Sequence, residues 1–177
     1  MNARRDEILA GAKRSFAEWG FDGATVPRLE QEIGLSHGAI FNHFDDKHDL
    51  FLELALREHD RWDRIWHEEG FELLAQAIVD EDPAWIGVLL EFEQRLRTDP
   101  ELRKRAKRRL RRGHDVEHTW LEREQAAGRI RDDVPANVIL GFLHLLLEGL
   151  ALARTAPDAA IDVEPILALA RRAIAPD

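Results

Sequence analysis

The chain has 177 residues, enough for one large or two small domains and for a buried core. An apolar content of 45% with five Trp and eight Phe excludes a disordered chain, and the absence of cysteine excludes disulfides, thiolate metal sites and cysteine nucleophiles together. The formal net charge of −9 argues against a broadly basic surface.

The absence of cysteine also suits a cytoplasmic protein, and the opening MNARRDEILAG is charged with no apolar signal core. Helical periodicity runs along the whole chain without an alternating strand, so the expected fold class is all-α. The first helix spans about residues 3–19, with Ile8, Leu9, Ala12 and Phe16 inward and Gly20 as its stop. The next stretch, TVPRLEQEIGLSHGAIFNHF, reads as two short helices over about 26–33 and 37–43. Thr25 and Ser36 are N-cap candidates, and Gly34 is the left-handed stop between the helices. Val26, Leu29 and Ile33 form one buried face, opposed by Leu35, Ile40 and Phe44. Two helices joined so tightly form a helix-turn-helix, whose second helix can enter a DNA major groove.

A fourth helix follows from about Asp46 to Glu69, with Leu50, Leu54, Trp62 and Ile65 as its stripe, and a fifth covers about 71–80. Asp82-Pro83 and Asp99-Pro100 each place a capping carboxylate before a proline, starting helices over about 83–97 and 100–127. Pro135 opens a helix reaching about Thr155, and the last runs over about 163–174. The order gives nine helices.

The string AKRSFAEWGFDGATVPRLEQEIGLSHGAIFNHFDDKHDLF resembles the N-terminal domain of the TetR family of repressors. Phe16, Gly20, Phe21, Gly23, Thr25, Gly34, Leu35, Ser36, Gly38, Phe41, His43, Phe44, Lys47 and Leu50 carry the resemblance. GATVPRLEQEIGLSHGAIFNHF and LRTDPELR are further similar to an actinobacterial aconitase-repressor-like branch. The resemblance implies a helix-turn-helix DNA-binding domain over residues 1–47 and an effector-binding and dimerisation domain over 48–177, joined within the fourth helix. It also implies a homodimer on a palindromic operator, acting as a repressor that a small-molecule effector releases.

His37 and Gly38 stand at the start of the second helix of the motif, where side chains reach base edges. His37 can donate to a guanine or a phosphate, Gly38 lets the backbone approach closely, and Ala39 can meet a thymine methyl. Asn42 can bond a phosphate or a base. By resemblance Thr25, Ser36, His43 and Lys47 fall on phosphate-contact positions, with Arg28 as an addition. Phe41 stands where the family often has Tyr, so it lacks that hydroxyl contact. Phe41 and His43 also fit packing beneath the recognition helix. Residues 1–50 carry six Lys/Arg against nine Asp/Glu, which predicts weak non-specific DNA binding.

Residues 135–155, PANVILGFLHLLLEGLALART, are apolar on more than one face, with little polar between Ile139 and Ala153 apart from His144 and Glu148. The run is read as too short for a membrane span. One face suits the domain's own core; the other, with Ile166, Leu167 and Leu169, suits a subunit partner, and the alternative is a monomer that buries both. His114 and His118 share a helix face, and Glu91, His144 or Glu148 can complete a metal or effector site with them. The alternative for the pair is a surface or interhelix hydrogen-bonding role. Trp85 and Phe92 read as core that can also line an effector cavity. No cofactor is required; the effector class suggested is an acidic or metal-bound metabolite.

The basic run from Arg103 to Arg112 is read as solvated or paired with Glu68, Glu69, Asp80 and Glu81. An anionic effector is a second reading, and auxiliary DNA contact ranks below both because this helix is expected away from the groove. Two further functions stay open: a metal-dependent helical enzyme using His114 and His118, and a helical scaffold that does not bind DNA.

Overall fold

The computed structural model describes residues 3–109, 114–156 and 162–176, and all side chains there except those of 108, 109 and 114–117. Among the described residues there are ten helices and no strand. They are α1 (Ala3–Gly23), α2 (Val26–Ile33), α3 (His37–Phe41), α4 (Lys47–Glu69) and α5 (Phe71–Asp80). Then come α6 (Pro83–Thr98), α7 (Pro100–Arg109), α8 (His114–Ala126), α9 (Ala136–Arg154) and α10 (Val163–Ile174). The single helix expected over 100–127 is thus described as two, α7 and α8, and residues 110–113 lie outside the description.

Packing divides the chain into two compact units, Met1–Glu58 with Asp82–Arg109, and His59–Glu81 with Leu110–Asp177. The division falls inside α4, and the first unit is larger than residues 1–47 because it also takes the start of α4 and all of α6 and α7. An aromatic core explains this. Phe51 of α4 lies 4.9 Å from both Phe16 and Phe21 of α1 and 5.2 Å edge-on to Phe92 of α6. Aromatic rings bury large areas and favour such edge contacts, so one cluster draws three helices into one body.

In α1 the predicted face is buried: Ile8, Ala12 and Phe16 are inaccessible and Leu9 nearly so. Gly20, with φ 67, interrupts the helix where a stop was expected, and helical turns resume to Gly23. Asp82 accepts from the Ala84 N–H at 2.9 Å, and Asp99 from the N–H groups of Glu101 and Leu102 at 2.9 and 3.0 Å. Both carboxylates therefore cap their helices as the Asp-Pro pairs predict.

In the second unit α9 packs on α5 and α8 through Ile139, Leu140, Leu143, Leu147, Leu150 and Ala151. Trp120 of α8 meets Trp66 edge-on at 5.9 Å and Phe71 at 6.4 Å. At 19 residues with mean hydropathy 1.8, α9 is long and apolar enough to cross a membrane, so the length argument in the sequence reading does not hold. Its buried stripe marks it instead as a core helix of this unit.

Candidate nucleic-acid interface

The helix-turn-helix is held from within by Leu29, Ile33, Ile40 and Phe44, all buried. Gly34 has φ 74 and donates its N–H to the Glu30 carbonyl, closing α2. The Ser36 hydroxyl accepts from the Ala39 N–H at 3.4 Å, a long cap bond at the start of α3. Thr25 corrects the expectation: it sits at the N-cap of α2 with extended geometry, but its hydroxyl makes no cap bond. The Pro27 ring beside it leaves one fewer N–H to satisfy.

Ile40 is the one fully buried side chain of α3. Thr25, Arg28, Ser36, His37, Gly38 and Asn42 are exposed, while Ala39, Phe41, His43 and Lys47 are half-buried. A Cβ at Gly38 would meet nothing within 4 Å, so this face is open. The His37 ring leans on the Phe41 ring at 4.6 Å, one turn along α3. Phe41 thus supports His37 from the position where the family often has Tyr.

The cations near this face are anchored. Arg28 stacks 4.0 Å from the Trp19 ring and donates to the Gly23 carbonyl at 2.8 Å. Lys47 donates to the Phe21 carbonyl at 2.9 Å and lies 4.4 Å over its ring. Burial lowers the Lys47 pKa, with Asp22 and Glu91 opposing the shift and Arg95 reinforcing it.

Three arginines brace the motif, of which only Arg105 figured in the sequence analysis, as part of the basic run. Arg5 of α1 donates to the His43 carbonyl at 2.7 Å, lies 4.3 Å over the Phe44 ring and approaches Glu53 at 3.3 Å. Arg95 of α6 bonds Asp22 and Glu91 and lies 4.7 Å over the Phe21 ring. Arg105 of α7 reaches Asp46 at 3.3 Å and Asp49 at 3.9 Å. Asp46 accepts from the Asp49 N–H at 2.6 Å and so caps α4, and Asp49 accepts from the N–H of Asp45, one residue before that cap, at 3.2 Å. Burial pulls the Asp46 pKa up, but the Asp49 N–H and the Arg105 guanidinium outweigh it, so the net shift is downward. In return the bond to Asp46 raises the Arg105 pKa.

Of the basic run, Lys104 and Lys107 are exposed, as the solvated reading has it, the described arginines find partners other than the acidic residues named for them, and the side chains of Arg108 to Arg112 lie outside the described residues. Arg103 donates to the Leu96 and Arg97 carbonyls and Arg105 binds Asp46, while Glu81 is taken by Arg61. The first unit carries 15 Lys/Arg against 16 Asp/Glu and the second 10 against 18, so the acidic excess lies almost wholly outside the body that holds the helix-turn-helix.

The residues expected around an effector are split between the units. Trp85, Glu91 and Phe92 belong to the first. There Trp85 is inaccessible beneath the Lys13 ammonium, Phe92 packs on Phe51 and Glu91 pairs with Arg95. In the second, His144 lies 5.2 Å from the Trp66 ring, Glu148 and His118 are exposed, and the side chain of His114 lies outside the described residues. An inward-facing His114–His118 pair is therefore corrected at His118. Among the described residues no three His, Asp or Glu gather as a metal site.

Comparison with known proteins agrees with this geometry. The model of the bacterial regulatory proteins of the tetR family matches residues 8–54. The chain is 42% identical over 151 residues to the HTH-type transcriptional repressor AcnR of Corynebacterium diphtheriae, covering 84% of this chain and 80% of that one. It is 42% identical over 156 residues to an HTH-type transcriptional repressor of Mycobacterium tuberculosis, covering 87% and 83%. Salmonella enterica GusR shares the fold at TM-score 0.73 and 20% identity, covering 97% of this chain and 93% of that one. So does a putative TetR-family transcriptional regulator from Rhodococcus sp., at TM-score 0.73 and 20% identity over 98% and 97%. The sequence relatives are transcriptional repressors and not enzymes, which disfavours both the metal-dependent enzyme and the inert scaffold. The chain belongs to the TetR family of helix-turn-helix transcription regulators, among its AcnR-type repressors.

Proposed function

We propose that the protein works in the cytoplasm as a homodimer on a palindromic operator and leaves it when a small acidic metabolite occupies the second unit. The observation that carries the operator reading is the open face of α3: Ile40 is anchored while His37, Gly38 and Asn42 face outward. In this reading His37, Gly38, Ala39 and Asn42 meet base edges, and Thr25, Arg28, Ser36, His43 and Lys47 hold phosphates. Phe41 orients His37. Residues 1–47 would supply all of these contacts, within a packing unit that extends to Glu58 and takes in Asp82–Arg109.

Dimerisation through α9 and α10 is supported by an outward apolar stripe. Val138, Phe142, Leu145 and Leu152 repeat at helical spacing along α9, and Leu145 and Leu152 are 71% and 63% exposed. On α10 Ile166 and Leu169 are exposed as well, whereas Leu167, expected with them, is buried. A monomer rarely leaves so much contiguous apolar surface in water. A two-fold dimer sets two recognition helices on successive major grooves.

The effector reading rests on buried donors. Among the described residues the buried indole N–H groups of Trp62 and Trp66, one turn apart on α4, and the Nε–H of Arg154 have no acceptor. Buried donors without acceptors are costly and suit an anionic ligand. His144 beside Trp66 fits this lining better than His118 does. Such a ligand acts by binding a form whose recognition-helix separation mismatches the operator.

A gel shift on the region upstream of the protein's own gene tests the operator reading. Salt-sensitive, sequence-specific retardation is expected; no specific retardation of any genomic fragment would overturn it. Tryptophan fluorescence against a panel of small carboxylates tests the effector class, and a flat response across the panel would discard it.

A further inference from the structure

Sequence-independent affinity for DNA comes from cations that neutralise phosphates and release counterions. In the first unit most cations are engaged within the protein. Every Lys and Arg from residue 4 to residue 57 pairs with a carboxylate or a main-chain carbonyl of that unit. Arg95, Arg103 and Arg105 do the same. The side chains of Arg97, Lys104 and Lys107 differ: they are exposed and have no such partner among the described residues. Among the described side chains the cations of this unit with no internal partner therefore sit at the end of α6 and on α7, outside the motif, while Arg28 and Lys47, bonded to neutral carbonyls, keep their charge for phosphate.

Two ion pairs say where that corner lies. Arg95 ties α6 to Asp22, three positions before Thr25. Arg105 ties α7 to Asp46, the neighbour of Lys47. The end of α6 and the body of α7 thus flank both turns that lead into the phosphate-contact positions. This removes the reason for placing the basic run away from DNA. Lys104 and Lys107, three apart, share one side of α7. Arg105 faces the motif, so Lys104 and Lys107 point to another side of α7, roughly a third of a turn round; a charge acts over about 8 Å at physiological salt, which lets these exposed lysines widen the positive edge beside the motif.

We propose that Arg97, Lys104 and Lys107 form an auxiliary phosphate-contact surface, which engages the operator backbone beyond the base pairs read by α3. The proposal rests on the operator reading above and deepens it. It also accounts for a DNA-binding body with nearly balanced charge: its own motif contributes little free cation, and α6 and α7 supply it.

The test uses the full-length protein and a genomic fragment that the wild type retards specifically. Binding of wild type and of Arg97→Gln/Lys104→Gln/Lys107→Gln is measured across a salt series, on a long duplex and on one trimmed to the edges of the protected half-sites. On the long duplex the variant should bind about 10- to 100-fold more weakly and lose about two to three units of salt slope, close to 0.9 per phosphate. On the trimmed duplex the two proteins should converge. Lys104→Arg/Lys107→Arg should behave as wild type, and all variants should melt with it. Equal salt slopes on the long duplex, or an equal loss on both lengths, would overturn the proposal while leaving operator binding intact. A wild type that retards no fragment would instead sink the operator reading, and this extension with it.

Discussion

The Arg5 guanidinium donates at 2.7 Å to the main-chain carbonyl of His43, 38 positions further along the chain. That carbonyl lies just past α3, where the end of a helix leaves acceptors without partners. A helix of five residues is far too short to persist alone. Arg5 supplies an acceptor's missing donor, covers the Phe44 ring and meets Glu53 of α4, so one side chain fixes the exit of the recognition helix to two other helices.

Replacing Arg5 with Gln should therefore loosen α3 without removing a DNA contact. A charged hydrogen bond and a partly exposed ion pair together suggest a loss of about 1–2 kcal/mol. Operator affinity should fall about tenfold with the salt slope unchanged, because no phosphate contact is lost. Denaturant titration and a salt series check this; a reduced slope would make Arg5 a phosphate ligand instead.

Gly11 should not tolerate Ala. A Cβ there would stand 2.8 Å from Ile33 Cγ1 and 3.1 Å from Ile33 Cα. The second neighbour is backbone and cannot rotate away. Helix propensity gains about 1 kcal/mol from the exchange, while overpacking costs about 1–3 kcal/mol. A net loss of stability is expected, together with weaker operator binding as α2 is pushed off α1. An unchanged melting curve would show that the crossing can relax.

Gly38→Ala separates stability from function. Nothing lies within 4 Å of the added methyl, so the protein should be as stable or slightly more so. Operator affinity should nonetheless drop, because the methyl intrudes where the backbone approaches a groove. Undiminished binding would show that DNA keeps its distance from this residue.

Features set by neighbours a few positions apart were legible in the sequence. The left-handed Gly34, the Ser36 cap and the Asp82 and Asp99 caps need only local spacing, and each is present. Thr25 failed as a side-chain cap although its backbone has cap geometry. The bracing roles of Arg5, Arg95 and Arg105 were not legible because their partners lie 38, 73 and 59 positions away, and no periodicity points across such gaps. The extent of the first unit was hidden for the same reason: Phe92 reads as an ordinary core residue of α6 until it meets Phe51. For the histidine pair, spacing shows a shared face but not whether that face is inward; His118 is exposed, which fits the surface reading.

Acid should reveal the α7 brace. The Asp46 carboxyl is held below its ordinary range by the Asp49 N–H and Arg105 acting against burial. A carboxylate with a depressed folded pKa contributes stability above its unfolded pKa and loses it as pH falls through the folded one. Arg105→Gln should bring Asp46 back toward its ordinary value of 3.8, so that less stability remains to be lost in that window. The gap between wild type and variant should then be widest near neutral pH and should narrow as pH falls below about 4. Denaturant midpoints measured across the acid range check this; a gap that is constant with pH would show that the ion pair does not couple to Asp46.

The outward stripe of α9 makes the strongest demand on the dimer. Leu145→Lys with Leu152→Lys puts two charges on a face whose opposite side, with Leu143, Leu147 and Leu150, stays buried, so the fold should survive. Sedimentation should then give a monomer. Its operator affinity should fall by about 10²- to 10⁴-fold, because the second half-site contact is no longer held at high effective concentration. Loss of a single base contact costs about 1–3 kcal/mol, roughly 5- to 150-fold. Breaking the dimer should therefore weaken binding more than removing His37 or Asn42 does, which follows from a motif whose own cations are mostly paired within the protein. If the monomer bound the palindrome as tightly as wild type, the stripe would not be the dimer contact that operator binding needs.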